Sequence, residues 1–164
     1  MRIISSLLAA LALSACVTTP SEPEPPIFVL DGRGIAPSVT GLRIDFGRAQ
    51  VGVVDTVSRL LQEQPVSIGT NPTCRAGPVT SVAWEDGLTL NFIDGAFLGW
   101  TSTDPELTVA GGFRPDQPRL ELPPVSFQVT SLGTEFSRGE VSGILDETDT
   151  TVAILYAGVT CFSR

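Results

Sequence analysis

The stretch from Val79 to Ser102, VTSVAWEDGLTLNFIDGAFLGWTS, constrains the fold more than any other part of the chain. VTSVAW (Val79 to Trp84) is rich in β-branched residues and alternates. LTLNFI (Leu88 to Ile93) alternates again, with Leu88, Leu90 and Phe92 on one face, and AFLGWTS (Ala96 to Ser102) returns as a third strand. An apolar residue at every second position suits a strand with one buried face, because successive side chains point to opposite sides. Glu85-Asp86-Gly87 and Asp94-Gly95 separate the runs, and Asp-Gly supplies the positive φ that a tight hairpin turn demands. The expectation is an antiparallel meander.

A helix should precede it. Over Ala49 to Gln62, Val53, Val54, Val57, Leu60 and Leu61 recur at helical spacing as one apolar stripe, and Pro65 ends the run. The same plan recurs further on. GLRIDFGR (Gly41 to Arg48) aligns without gaps to GFRPDQPR (Gly112 to Arg119). With one residue inserted, VVDTVSRLLQE then lies beside VSFQVTSLGTE, setting Val53 with Val125, Val57 with Val129, Leu60 with Leu132 and Glu63 with Glu135. VTSVAW parallels VSGIL, and LTLNFIDGAF parallels TVAILYAGVT. This collinear order reads as a tandem duplication, with pseudo-repeats at about 41–102 and 112–163.

In the second unit, Val125 to Leu132 reads as a short helix or an extended segment, with weak helical character. Strands are expected over Glu140 to Leu145, Thr151 to Ala157 and Val159 to Phe162, with DETD (Asp146 to Asp149) as a turn. The fold class is therefore α+β: an antiparallel sheet from two tandem helix-plus-β-meander pseudo-repeats, with helix packed on one face. The layout resembles small envelope lipoproteins of the outer-membrane assembly machinery and the β-lactamase inhibitor proteins. That likeness is architectural and carries no residue across.

Composition removes whole classes of chemistry. The chain has 164 residues, 42% of them hydrophobic, which is ample for a core. Its ten cations are all arginine and stand against 18 acids, for a net charge of −8. Phosphate backbones and anionic headgroups attract clustered positive charge. No basic run exists, so neither nucleic acid nor electrostatic membrane binding is expected. Histidine is absent. Ser-His-Asp and Cys-His catalysis within one chain, and the His-based catalytic zinc sites, go with it. The absence of lysine removes Schiff-base chemistry and the P-loop lysine.

The N-terminus carries a cellular address. Met1 and Arg2 form a small positive region, and Ile3 to Leu13 an apolar stretch of about eleven residues, the size of a secretory h-region. A membrane span needs about 20 apolar residues. Leu13-Ser14-Ala15-Cys16 resembles the lipobox of bacterial lipoproteins. The resemblance implies cleavage after residue 15 and acylation of Cys16, where the thiolate is the natural nucleophile for lipid transfer. The bland alternative is an ordinary signal cut after Ala12 or Ala15. In that family an Asp after the cysteine tends to retain the protein at the inner membrane. Val17 stands there instead, which points to the periplasmic face of the outer membrane. Residues 16–26 then form a tether in which Pro20, Pro23, Pro25 and Pro26 favour an extended chain. Ten residues at about 3.1 Å each would hold the domain about 30 Å from the lipid. The domain itself spans 27–164.

With Cys16 lipidated, Cys74 and Cys161 remain, and an even pair in an oxidising envelope reads as a disulfide. It would close a loop of roughly 90 residues, worth about 4 kcal/mol in loop-closure entropy. The alternative, Cys74 as a nucleophile activated by Arg75, lacks an imidazole base.

Other candidates for chemistry are thin. Asp31 to Gly34 (DGRG) opens like a dinucleotide fingerprint, but Pro37 stands where the third glycine belongs and no βαβ unit follows. Asn71-Pro72-Thr73-Cys74 is loosely similar to the Asn-Cys context of aspartate-semialdehyde dehydrogenases. Those enzymes have a nucleotide-binding fold about twice this length and pair their cysteine with histidine, so the label is unsupported by motifs. Glu85 and Asp86 are adjacent on a turn, not set across a cleft as glycosidase carboxylates are. DETD lacks the length and glycine of an EF-hand loop. Arg43 and Arg114 recur in both units, as do Asp45 and Asp116. An Arg and an Asp two apart on an extended segment share a face and can brace each repeat. Alternatively, the two guanidinium groups bind an acidic partner. Trp100, with Trp84 and Phe97, offers an aromatic patch for protein contact or a part of the core.

The sequence thus supports an exported, lipid-anchored envelope protein with a binding or structural role. No catalytic residue, metal or cofactor is indicated. The expected partners are the membrane, through the anchor, and an envelope protein. An inhibitor-like protein-binding module is the alternative.

Overall fold

The computed structural model describes residues 25–38 and 41–162. The signal segment, Cys16 and the tether up to residue 24 lie outside the described residues. Twelve strands, one α-helix and one 3-10 turn follow in order: β1 (Phe28–Asp31), β2 (Gly34–Pro37), β3 (Ile44–Asp45), α1 (Gln50–Leu61), β4 (Ser67–Asn71), β5 (Val79–Ala83), β6 (Leu88–Ile93), β7 (Ala96–Ser102), β8 (Thr108–Val109), the 3-10 turn Arg119–Glu121, β9 (Ser126–Thr130), β10 (Gly133–Arg138), β11 (Val141–Leu145) and β12 (Val152–Gly158).

The expected meander forms as β5, β6 and β7, paired antiparallel in that order. Asp94 sits at the β6–β7 turn with φ 51° and Gly95 follows with φ 75°, the left-handed pair that the Asp-Gly signal implied. One antiparallel sheet of eight strands results, in the order β4-β5-β6-β7-β12-β11-β10-β9. Helix α1 buries Val53 and Val57. Its end is set by Gln62, in the left-handed region at φ 58°, with Pro65 shortly beyond. The fold is mostly antiparallel sheet with one helix, an α+β architecture.

A second, smaller sheet was not anticipated. It runs β3-β2-β1-β8, antiparallel except for the β1·β8 pair. Its Phe28, Leu30, Ile35, Ile44 and Val109 join Val82, Leu90, Trp100, Phe136 and Leu155 of the large sheet in one core. The small sheet and α1 therefore cover one face of the large sheet. The Trp100 indole N–H donates to the Asp31 carbonyl at 2.8 Å, tying the two sheets through the middle of that core.

The second half differs from expectation in three places. Ser126–Thr130 is a strand where weak helical character was expected, and Gly133–Arg138 is a further strand. Val159 to Phe162 is not a strand. Pairing explains the first, since Ser126–Thr130 lies antiparallel against Gly133–Ser137 and this tertiary ladder overrides a weak local preference. The second half keeps a single 3-10 turn, Arg119–Glu121, where α1 stands in the first.

Three backbone hydrogen bonds of the first half have counterparts in the second. Gly47 N–H donates to the Phe97 carbonyl, Phe97 N–H to Arg48, and Gln50 N–H to Gly95. Asp116 N–H donates to Val152, Val152 N–H to Gln117, and Arg119 N–H to Thr150 in the same pattern. Ala49 bridges Ala96 as Pro118 bridges Thr151. Each half has one register shift at a matching place, Asn91/Phe92 and Ile144/Leu145. By this geometry Gly47 corresponds to Asp116, and both have positive φ. The alignment of Gly41–Arg48 with Gly112–Arg119 set Asp45 against Asp116, two positions away. It also set β5 beside β11 and β6 beside β12, whereas the ladders match β5 with β10 and β6 with β11. Strands of period two look alike when slid by two residues, and successive strands of a meander share the same alternation, so similarity alone fixes neither register nor strand correspondence.

Beyond β12 the chain turns back over the large sheet. Gly99 has no room for a side chain, because a Cβ there would collide with the Val159 carbonyl. Gly99→Ala is expected to push the tail off the sheet and lower stability by about 2 kcal/mol, read from the midpoint of a urea titration.

Candidate functional site

The large sheet has a second face, opposite the core, and it is chemically unusual. Cross-strand pairing places Ser67, Ala83, Thr89, Thr101, Tyr156, Ser142, Ser137 and Ser126 in one row, one from each strand. Ala83 is the only residue of the row without a hydroxyl. At about 4.8 Å per strand the row runs about 34 Å. Its residues are half-buried at the centre and exposed at the ends. Among the described strands, Glu135 is the only charged residue that alternation places on this face. A solvated sheet face commonly carries polar side chains, and here they are almost all neutral.

The C-terminal tail closes one side of this face and reaches the hydroxyl row at Tyr156, leaving its serine and threonine members uncovered by the described tail. Val159 N–H donates to the Leu98 carbonyl at 2.8 Å. Asn91 Nδ2 donates to the Val159 carbonyl at 3.1 Å, and Ser81 Oγ bonds Asn91 Oδ1 at 2.8 Å. Phe162 packs edge-on to Tyr156, with ring centroids 5.2 Å apart. Cys161 is disulfide-bonded to Cys74, with Cα atoms 5.5 Å apart across 87 residues of sequence. The tail is thus fastened to the loop between β4 and β5, and Cys74 is not available as a nucleophile.

The residues singled out from sequence lie elsewhere. Arg43 is a brace: its Nη2 donates to Asp31 Oδ1 at 2.8 Å and its Nε to Asp45 Oδ1 at 2.9 Å. Burial pushes the Asp31 carboxyl up, but the hydrogen bonds from the Arg43 guanidinium and the Arg33 backbone N–H outweigh it and hold the group below its ordinary value. The same brace does not recur in the second half. Arg114 is 60% exposed and its nearest acid is Glu121, at 3.9 Å. Arg43 and Arg114 line separate clefts, so they do not form a paired guanidinium site. Trp100 is 0% exposed. It offers no ring to a partner, because the small sheet covers it, and Trp84 and Phe97 are buried with it.

The DETD turn is satisfied from within. Asp146 accepts the Thr148 hydroxyl at 2.7 Å and the backbone N–H groups of Thr150 at 2.8 Å and Thr151 at 3.2 Å. Those hydrogen bonds lower its pKa to about 2. Burial instead pushes the Asp104 carboxyl up, despite the Glu106 backbone N–H that it accepts.

Sequence reading missed the hydroxyl row because its members come from eight separate segments. Three of these, β4, β9 and β10, were not anticipated as strands. A signal was present nonetheless: Ser126, Ser137, Ser142, Thr89 and Thr101 occupy the polar phase of their alternating runs. No protein family, curated protein or solved structure matches this chain.

Two titrations check the electrostatics. Asp146 should titrate near pH 2 in a carboxyl NMR experiment. Its folded pKa is depressed, so the turn's contribution is complete above the ordinary carboxylate value and is lost as pH falls through about 2. Arg43→Met should raise the Asp31 pKa, since burial then acts unopposed by the guanidinium, and should cost about 1–2 kcal/mol at neutral pH.

Proposed function

We propose that this chain is an exported, lipid-anchored envelope protein whose domain works by binding, through the open hydroxyl-lined face of its large sheet. The observation that carries the export reading is the Cys74–Cys161 disulfide. A cross-link between a loop and the C-terminal tail persists in an oxidising compartment and is rare in a reducing one. It agrees with the signal-like N-terminus, whose Leu13-Ser14-Ala15-Cys16 resembles a lipobox. Acylation at Cys16, with Val17 following, makes the periplasmic face of the outer membrane the proposed location. The tether ends at the domain near Ile27.

The binding role rests on the row from Ser67 to Ser126. Neutral hydroxyl groups give hydrogen-bonding capacity without the desolvation penalty of buried charge. A polar face with Glu135 as its one charged strand residue suits a protein surface or another hydrogen-bonding envelope component. The same face would serve an inhibitor-like module that covers a partner protein. We also attribute the domain to tandem duplication of a four-stranded unit. In support, the paired hydrogen bonds and bulges of the halves correspond, and the conformations of Gly47 and Asp116 agree.

Cell fractionation tests the anchor. The wild type should sediment with outer membranes and Cys16→Ser should be released. If Cys16→Ser stays as firmly bound and recovers the same partners after crosslinking, the anchor reading fails. Thr101→Arg with Ser142→Arg should keep the far-ultraviolet spectrum and lose crosslinked partners; unchanged recovery removes the face from the binding role. Cys161→Ser should cost about 4 kcal/mol in a denaturant titration.

A further inference from the structure

The eight-stranded sheet ends in two edges, and they are not alike. β4 is exposed along its whole length. It reads Ser67-Ile68-Gly69-Thr70-Asn71, with no charge, proline or bulge. Sheet edges that stay monomeric are normally defended by such features, because an edge presents a row of unpaired N–H and C=O groups. The β9 edge has more protection. The Arg119 guanidinium lies 4.2 Å from the Phe127 ring of that strand, whereas prolines flank both edges, Pro65 and Pro72 around β4 and Pro124 before β9.

Apolar side chains flank the undefended edge. Ile68 is 65% exposed, Val66 beside it is also exposed, and Val51 and Val54 of α1 join Ile68 around one cleft. Charge selects what can pair there. Glu63 and Arg75 stand at equal distances in sequence on either side of Gly69. Neither takes part in an ion pair among the described residues. A β4 strand paired antiparallel with a second β4 about Gly69 sets the acidic end of each copy beside the basic end of the other. Parallel pairing would set like charges together.

We propose that the protein forms a twofold dimer by antiparallel β4·β4 pairing centred on Gly69, with a second copy of this chain as the occupant of the edge. Ile68 of each copy then lies opposite Thr70 of the other. The two Ile68 side chains are diagonal neighbours on the core side, within reach of each other. Such an interface is isologous and closes on itself, so it yields dimers and not filaments. Within the chain, β7 and β12 already join two four-stranded halves by the same kind of antiparallel edge pairing.

Cysteine crosslinking of the full chain in detergent tests this. Residues opposite each other in an antiparallel pair have Cα atoms about 4.5–5.5 Å apart, a span that a disulfide bridges. A Cβ at Gly69 meets nothing within 4 Å, so Gly69→Cys should fold. It should give a reducible dimer on a gel. Gln128→Cys, at the matching position of the β9 edge, should not. No dimer from Gly69→Cys, or equal crosslinking at both edges, overturns the proposal. In sedimentation, Glu63→Arg should weaken the dimer about fivefold, and adding Arg75→Glu should restore it. A double variant as weak as the single one rules out the antiparallel register.

Discussion

The pairing of β7 with β12 is the interaction on which the rest of the architecture depends. Trp100 stands opposite Ala157, Thr101 opposite Tyr156, and Ser102 opposite Leu155. Without this ladder, each half would be a four-stranded meander with two open edges and too little cover for its apolar face. Joining them removes two edges and merges two partial cores into one. The pair Thr101–Tyr156 is the centre of correspondence between the halves, so residues on both sides of it play matching structural parts. Trp100 and Leu155 both end fully buried on the same side of the joint.

Burying that side needs more cover than one twelve-residue helix provides. The chain answers with the small sheet, most of which precedes α1 and is completed by β8 from the connection between the halves. This explains why Arg43 is committed to structure. It pins β3 to the end of β1 through Asp45 and Asp31, and Asp31 in turn accepts the Trp100 indole N–H on its carbonyl. A guanidinium held by two carboxylates, with the most buried indole hanging from the same residue, is poorly placed to bind a ligand as well. In the second half Pro115 and Pro118 bracket Asp116, and no equivalent brace forms.

Local signals and long-range ones were unequally legible in the sequence. Strands β5, β6 and β7 and helix α1 followed directly from periodicity, because apolar alternation and the Asp-Gly turn are properties of a few consecutive residues. The Cys74–Cys161 bond followed from counting and compartment. What could not be read was register. A two-residue slip keeps every side chain on its proper face, so the correspondence between the halves looked convincing in an alignment that the hydrogen bonds shift. β9 was hidden for a related reason: Val125 and Val129 fit helical spacing and strand alternation equally well. The hydroxyl row is the most register-dependent feature of all. It exists only when eight strands are aligned side by side, and no short window of sequence contains more than two of its members.

Charge is distributed so that the two outer surfaces of the protein behave differently. The acids that give the net charge of −8 concentrate at turns, as with Glu85, Asp86, Asp94, Asp146, Glu147 and Asp149, while the open sheet face has Glu135 near one end. Turn charges extend a repulsive field over distances of about a Debye length, roughly 8 Å at physiological salt. They keep the surroundings hydrated and discourage anionic partners without touching the face itself. A partner docked on the hydroxyl row, as proposed, would meet mainly neutral donors and acceptors. Salt would then alter the rate of approach more than the strength of contact, because fields steer encounter whereas short-range hydrogen bonds and fit hold the complex. The Cys74–Cys161 bond has a part in this arrangement. By holding the tail along the Asn91 side it fixes how much of the face is covered, and so sets the width of the surface that remains open.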